Sequence, residues 1–430
     1  MTGALMMVDL RAKLLSVGDF HQVGLISTLH RIGKVDVEHL ERELLRHVAN
    51  RPIALVLPCL YSELEGQAVH TIVKELQKVE YLDQIILSMD RMDHDQFRHA
   101  ARFFSDLPQQ TRIIWHDGPR IQKLLQELGE NHLPVGEQGK GRGSWMAFGY
   151  ILATKRVEAV ALHDCDIVSY SRELLARLCY PIANPSLGYE FCKGYYARYG
   201  RRLYGRVTRL FLTPLLAALT QLTGHIRVLE YLAGFRYPLS GEFAITTDLI
   251  RANRIPANWG LEIGTLCEVY RNCSLKRVCQ VDLIENYQHK HQELSPDNPS
   301  AGLMKMAIDI GETLFRTLAT EGVVMSEAFF RSLSAAYQRS AEDAIRRYTD
   351  DASINGLELD RHAENLAVTT FRTSLQMASK NFLVDPHGAL LIPSWNRVTS
   401  ALPDFLDRLY QAVEDDHQMI LAEQEKTLTS

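Results

Sequence analysis

Residues 158–168 read EAVALHDCDIV, an apolar run of strand-forming residues that ends by placing two acids, Asp164 and Asp166, one residue apart. A buried strand needs no carboxylates, and two like charges at that spacing repel unless something cationic sits between them. Either the pair lies in a solvated turn or it holds a metal ion. Carboxylates at i and i+2 suit a hard divalent cation, because Mg2+ and Mn2+ take oxygen ligands and keep some of their water. The position directly after a buried strand favours the metal.

Upstream of this stretch, IALVLPCL (53–60), QIILSM (84–89) and RIIWHD (112–117) are further apolar runs. Helical patterns over 67–79 and 119–129 separate them. Strand and helix alternate, which implies an α/β fold with a mostly parallel sheet covered by helices on both faces. In such sheets ligands bind beyond the carboxyl ends of the strands, where Asp164 and Asp166 fall. Residues 1–50 carry a helical pattern at 34–49 and read as an N-terminal helical extension. Residues 51–295 hold the sheet. From 296 to 430 the pattern changes to long helical stretches (302–347, 359–381, 403–425), an α-helical C-terminal region.

Composition narrows the class. With 430 residues, 46% hydrophobic and 23% charged, the chain is of the soluble globular type. Its net charge of −5 gives no basic footprint for nucleic acid, so an anionic small substrate has to be met by local basic groups. The seven cysteines form no Cys-x-x-Cys pair and their number is odd, which argues against a zinc ribbon or a complete disulfide framework and for a reducing cytoplasm. Asp9, Arg11 and Lys13 interrupt the apolar start in a way that a secretory signal does not. The most apolar segment, LFLTPLLAALTQL at 210–222, is too short to span a bilayer and reads as a buried helix.

Four other stretches carry chemistry-bearing residues. GEQGKGRGSW (136–145) is a Gly-rich loop before a helix, in which backbone N–H groups, Lys140 and Arg142 could cradle a phosphate. It is not a Walker A sequence, since Gly-Lys is not followed by Ser or Thr; the plain alternative is a flexible basic surface loop. YARYGRRLYGRVTRLF (196–211) crowds Arg198, Arg201, Arg202, Arg206 and Arg209 before an apolar helix, which suits an anionic ligand or simply a solvated turn. NWGLEIGTL (258–266) sets Glu262 among apolar residues, where a carboxylate must be paired or functional. ENYQHKHQE (285–293) offers His289 and His291, either able to complete a metal shell.

Taken in order, the LP-x-L strand, the Gly-Lys-Gly loop, the Asp-x-Asp turn, GRVTRLFLTPLLAAL, LSGEFAI, GLEIGTL and a late His resemble the glucosyl-3-phosphoglycerate synthases over residues 51–295. These are retaining glycosyltransferases of the GT-A fold, related to mannosyl-3-phosphoglycerate and mannosylglycerate synthases. The resemblance implies that Pro58, Leu60 and Glu63 hold the nucleotide base and ribose and that Lys140 contacts the donor diphosphate. It implies Mg2+ or Mn2+ on Asp164, Asp166 and His289, with Asp166 also counted among the catalytic residues. Gly205, Arg206 and Thr208 would receive 3-phosphoglycerate, and Glu262 would hydrogen-bond the transferred sugar near its anomeric carbon. A cytoplasmic homodimer without membrane insertion or nucleic-acid partner is part of the same expectation.

This sequence departs from the family pattern at two places. Tyr287 stands where smaller members have an arginine, so Lys290 or another cation must serve the acceptor phosphate, and Trp259 stands where they have a tyrosine. The middle residue of the acidic motif, Cys165, is expected to face away. Three rival readings remain: mannosyl transfer from GDP-mannose to 3-phosphoglycerate or glycerate, a phosphatase using the first Asp of DCDIV as nucleophile, and a sugar-nucleotide sensor without catalysis. UDP- and GDP-glucose are not distinguished.

Overall fold

The computed structural model describes residues 22, 24–288, 294, 299–389 and 391–429. The four apolar runs form strands β2 (Ile53–Leu60), β3 (Leu82–Asp90), β4 (Gln110–Trp115) and β5 (Ala159–Leu162). Successive side chains point to opposite faces of a strand, and the core divides accordingly. Ala54, Val56, Ile86, Val160 and Leu162 join one hydrophobic cluster. Ile53, Leu55, Leu57, Ile85, Ala159 and Ala161 join the other. Both faces of the central strands are therefore buried, which is why they read as continuous apolar runs.

Four more strands complete the sheet: β1 (Ser27–Leu29), β6 (Phe191–Tyr196), β7 (Phe243–Thr246) and β8 (Val278–Ile284). The order is β1-β8-β6-β7-β5-β2-β3-β4. Every pairing is parallel except those of β7, which runs antiparallel to both β5 and β6. Of these four, β8 is the apolar strand run RVCQVDLI (277–284) that leads into ENYQHKHQE. The N-terminal stretch, read as a helical extension from its pattern at 34–49, also contributes the edge strand β1, paired to β8 through Ser27↔Cys279. Helix Val37–Val48 lies where its pattern placed it, started by Asp36, whose carboxylate accepts the His39 N–H.

The C-terminal region is helical as expected, but 302–347 is not one helix. Gly322 at φ +86 ends helix Gly302–Thr320, and the Ser326 side chain caps the next, Glu327–Ile354. Helices Arg361–Val384, Trp395–Ala401 and Phe405–Thr429 follow. No described helix is long and apolar enough to cross a membrane.

The region packs directly on the sheet domain. Trp395 stacks on Trp145 with ring centroids 4.0 Å apart, over Gly149, where a Cβ would lie 2.2 Å from the Trp395 ring. Arg112–Glu414, Arg120–Asp416 and Arg408–Glu127 pairs fasten the last helix beside it. Trp395→Ala should therefore lower global stability by about 3–5 kcal/mol, the usual cost of emptying a large buried aromatic site, read as a shifted denaturant midpoint.

Candidate active site

Pro58, Leu60, Glu63, Lys140, Asp164, Asp166, Gly205, Arg206, Thr208 and Glu262 all line one cleft of about 2210 Å³ at the carboxyl ends of β2, β3 and β5. His289, together with Lys290 and His291, lies outside the described residues.

The acidic turn is set by what precedes it. β5 ends at Leu162, and His163 is fully buried, its Nδ1 2.9 Å from the Asp164 carbonyl oxygen; burial lowers its pKa to about 4. Cys165 turns inward as expected, where the Cys59 thiol and burial push its own thiol upward. Asp164 and Asp166, on either side of it, reach the cleft.

The Gly-rich stretch is not the loop that was expected. Lys140 is the first residue of helix Lys140–Thr154, with Gly139 as its N-cap. The glycines serve close packing instead: a Cβ on Gly141 would lie 2.2 Å from the Pro256 carbonyl oxygen, and one on Gly143 2.6 Å from Ser88 Oγ. The positive end of this helix still faces the cleft, so it retains the capacity to receive an anion.

Lys140 Nζ lies 2.6 Å from Asp164 Oδ1 and 3.1 Å from Glu262 Oε1. Burial alone would depress this lysine, but Asp164 and Glu262 outweigh it and hold the ammonium above its ordinary range. Glu262 occupies the first turn of helix Leu261–Asn272 and is 8% exposed. It is paired, as its apolar setting demanded.

Beneath this layer is a second one that the sequence reading missed. Glu242 is fully buried and accepts hydrogen bonds from Tyr196 Oη at 2.7 Å and Tyr287 Oη at 2.5 Å. Burial, then Asp164, raises its pKa against those bonds. Lys193, also buried, donates to the Ser240 carbonyl at 2.7 Å, and burial draws it down to about 8. The available signal was the charge inside LSGEFAI and FCKGYY, a Glu just before one short apolar strand and a Lys inside the other.

Gly241 closes the arrangement. A Cβ there would lie 2.5 Å from Asp164 Oδ2 and 2.9 Å from Lys140 Nζ. Gly241→Ala should displace both groups and lower kcat by roughly ten- to hundred-fold, while the unfolding midpoint moves little. Steady-state kinetics alongside thermal melts check this.

The donor set fits a hard divalent cation. Among the described residues no group of three or more His, Cys, Asp or Glu side chains is placed around one point. However, Mg2+ is commonly held by one or two carboxylates plus water and substrate phosphates, which Asp164 and Asp166 can provide for. The chain also returns to this turn just before His289: the Val168 N–H donates to the Gln288 carbonyl at 2.8 Å, and the Gln288 N–H donates to Ser169 Oγ at 3.0 Å.

The arginine cluster separates into distinct roles. Arg209 is buried and donates to the Tyr204 carbonyl and to Glu364 Oε2, the latter at 2.9 Å. Arg206 donates from Nε to Glu364 Oε1 at 2.9 Å while lining the cleft. Arg201 pairs with Glu358. The C-terminal helices thus clamp the GRVT turn, where Gly205 takes φ +72 and Val207–Leu212 form a π-helical turn. Tyr287 stacks on Tyr196 with centroids 3.8 Å apart, and Trp259 is 44% exposed on the cleft rim.

No family model matches the chain. It is 49% identical over 401 residues to the glucosyl-3-phosphoglycerate synthase of Persephonella marina, covering 93% of this chain and 99% of that protein. It is 40% identical over 400 residues to the glucosyl-3-phosphoglycerate synthase of Methanococcoides burtonii, covering 92% and 97%. A crystal structure of glucosyl-3-phosphoglycerate synthase from Mycobacterium tuberculosis in complex with Mn2+, UDP-glucose and phosphoglyceric acid matches at a TM-score of 0.50 and 24% identity, over 70% of this chain and 89% of that one. This last similarity is one of fold.

Proposed function

Because the chain belongs to the glucosyl-3-phosphoglycerate synthases, a family of glycosyltransferases, we propose that it moves glucose from UDP- or GDP-glucose to 3-phosphoglycerate with retained configuration. The observation that carries this reading is the junction of Lys140, Asp164 and Glu262 inside one cleft. A cation and two carboxylates meet there at the point where a sugar and its leaving group would divide.

Each residue has a task. Pro58 and Leu60 border the base and Glu63 the ribose. Asp164 and Asp166, with His289 as the third ligand, would hold Mg2+ or Mn2+, which when bound supplies positive charge to the departing diphosphate. Lys140, at a helix N-terminus, adds a fixed ammonium and free backbone N–H groups on the same side. Glu262 accepts a hydrogen bond from the sugar near the anomeric carbon. Gly205, Arg206 and Thr208 seat the acceptor so that its hydroxyl approaches the face the diphosphate leaves. No protein nucleophile is required.

A panel of UDP-glucose, GDP-glucose and GDP-mannose against 3-phosphoglycerate and glycerate, with Mg2+ or Mn2+, tests the proposal. Glucosyl-3-phosphoglycerate is the expected product. Faster turnover of GDP-mannose, or phosphate release from an ester without any sugar nucleotide, would overturn it. A homodimer belongs to the same reading; light scattering giving a monomer mass would remove it.

A further inference from the structure

Arg198 differs from its neighbours in the arginine cluster. Arg206 and Arg209 share Glu364, and Arg201 has Glu358. Arg198 is half-buried in the cleft wall, yet among the described residues no carboxylate lies within ion-pair distance of it. Its Nη1 donates to Tyr237 Oη at 3.0 Å, and its Nε is buried without a hydrogen-bond partner. A guanidinium carries five N–H donors and stays charged, so one left with a single neutral partner has capacity for an anion.

The surroundings aim it. Tyr237 Oη lies 3.0 Å from where a Cβ of Gly205 would be, so the absent side chain at Gly205 admits the hydroxyl that holds Arg198. Tyr196, whose ring is 5.0 Å from that of Tyr237, and Tyr287, stacked behind it, both spend their hydroxyl protons on Glu242. Lys140 is paired with the carboxylates of Asp164 and Glu262, whereas Arg198 donates to the neutral Tyr237 hydroxyl. The two cations therefore serve different places in the cleft, one at the donor diphosphate and one beside the GRVT turn.

We propose that Arg198, oriented by Tyr237, binds the phosphate of the acceptor. A phosphate monoester brings close to two negative charges and three acceptor oxygens, and the planar fork of a guanidinium can grip two of them at once. The inference rests on the function proposed above and adds the residue that lets the enzyme tell a phosphorylated three-carbon acid from its unphosphorylated form.

The test uses the full-length protein. Arg198→Ala should raise KM for 3-phosphoglycerate by about ten- to hundred-fold, the value of a charge-assisted contact, and leave KM for the sugar nucleotide nearly unchanged. Glycerate, which lacks the phosphate, should be used no worse by the variant than by the wild type. Arg198→Lys should recover part of the loss, and Tyr237→Phe should show a smaller KM effect in the same direction. If Arg198→Ala does not fold, Arg198→Gln gives the same comparison, with thermal melts reporting integrity. An unchanged KM for 3-phosphoglycerate, or an equal rise for glycerate, in an active and folded variant overturns the role of Arg198 alone. A wild-type protein that makes no product from 3-phosphoglycerate overturns both this role and the proposed function.

Discussion

Asp166→Ala is expected to fold normally and to transfer glucose at least about a thousand-fold more slowly than the wild type, since a divalent ion on a departing diphosphate contributes several kcal/mol to the transition state. The geometry explains why the loss should be so large. β5 delivers the two acids to the cleft on either side of the inward-facing Cys165, and Asp164 alone already shares its Oδ1 with Lys140. Removing Asp166 leaves a single carboxylate, partly neutralised, to retain an ion that would depend on both. Chelation of the wild type should give the same fall in rate, and added Mn2+ should restore the wild type but not the variant. Turnover that continues after thorough chelation would contradict the whole assignment.

The fold was legible where burial was two-sided. Ile53–Leu57 and Ile85–Leu87 are apolar at every position because both faces are covered, and no other pattern competes with that one. β6 and β7 were missed because each is short and carries a charge, Lys193 in one and Glu242 beside the other. Their partners lie across the sheet, invisible to local periodicity. The candidate residues that line the cleft were named from spacing and family pattern, but their pairings were not. Glu364 reaches Arg206 across 158 positions, and Tyr237 reaches Arg198 across 39. The glycines of GKGRG were misread for a related reason. A glycine that frees a loop and one that lets a helix approach a carbonyl look the same in sequence, and only Pro256 distinguishes them.

Lys140→Met should produce two effects of opposite sign. Methionine keeps much of the apolar stem and removes the charge, so the diphosphate loses one fixed cation, and kcat should fall by about 10²–10³, as when a preorganised electrostatic donor is deleted. Yet Lys140 Nζ sits 2.6 Å from Asp164 Oδ1, where it competes with any divalent ion for that oxygen. Without it, Asp164 and Glu262 lose the cation they share, and a divalent ion entering there gains the attraction the lysine formerly had. The variant should therefore bind Mn2+ more tightly than the wild type in the absence of nucleotide, measured by the loss of free Mn2+ signal in paramagnetic resonance. General damage to the site would weaken metal binding and catalysis together. A slower enzyme that holds its metal better requires that the ammonium and the ion share one carboxylate, with Lys140 yielding it when the sugar nucleotide brings phosphate oxygens of its own.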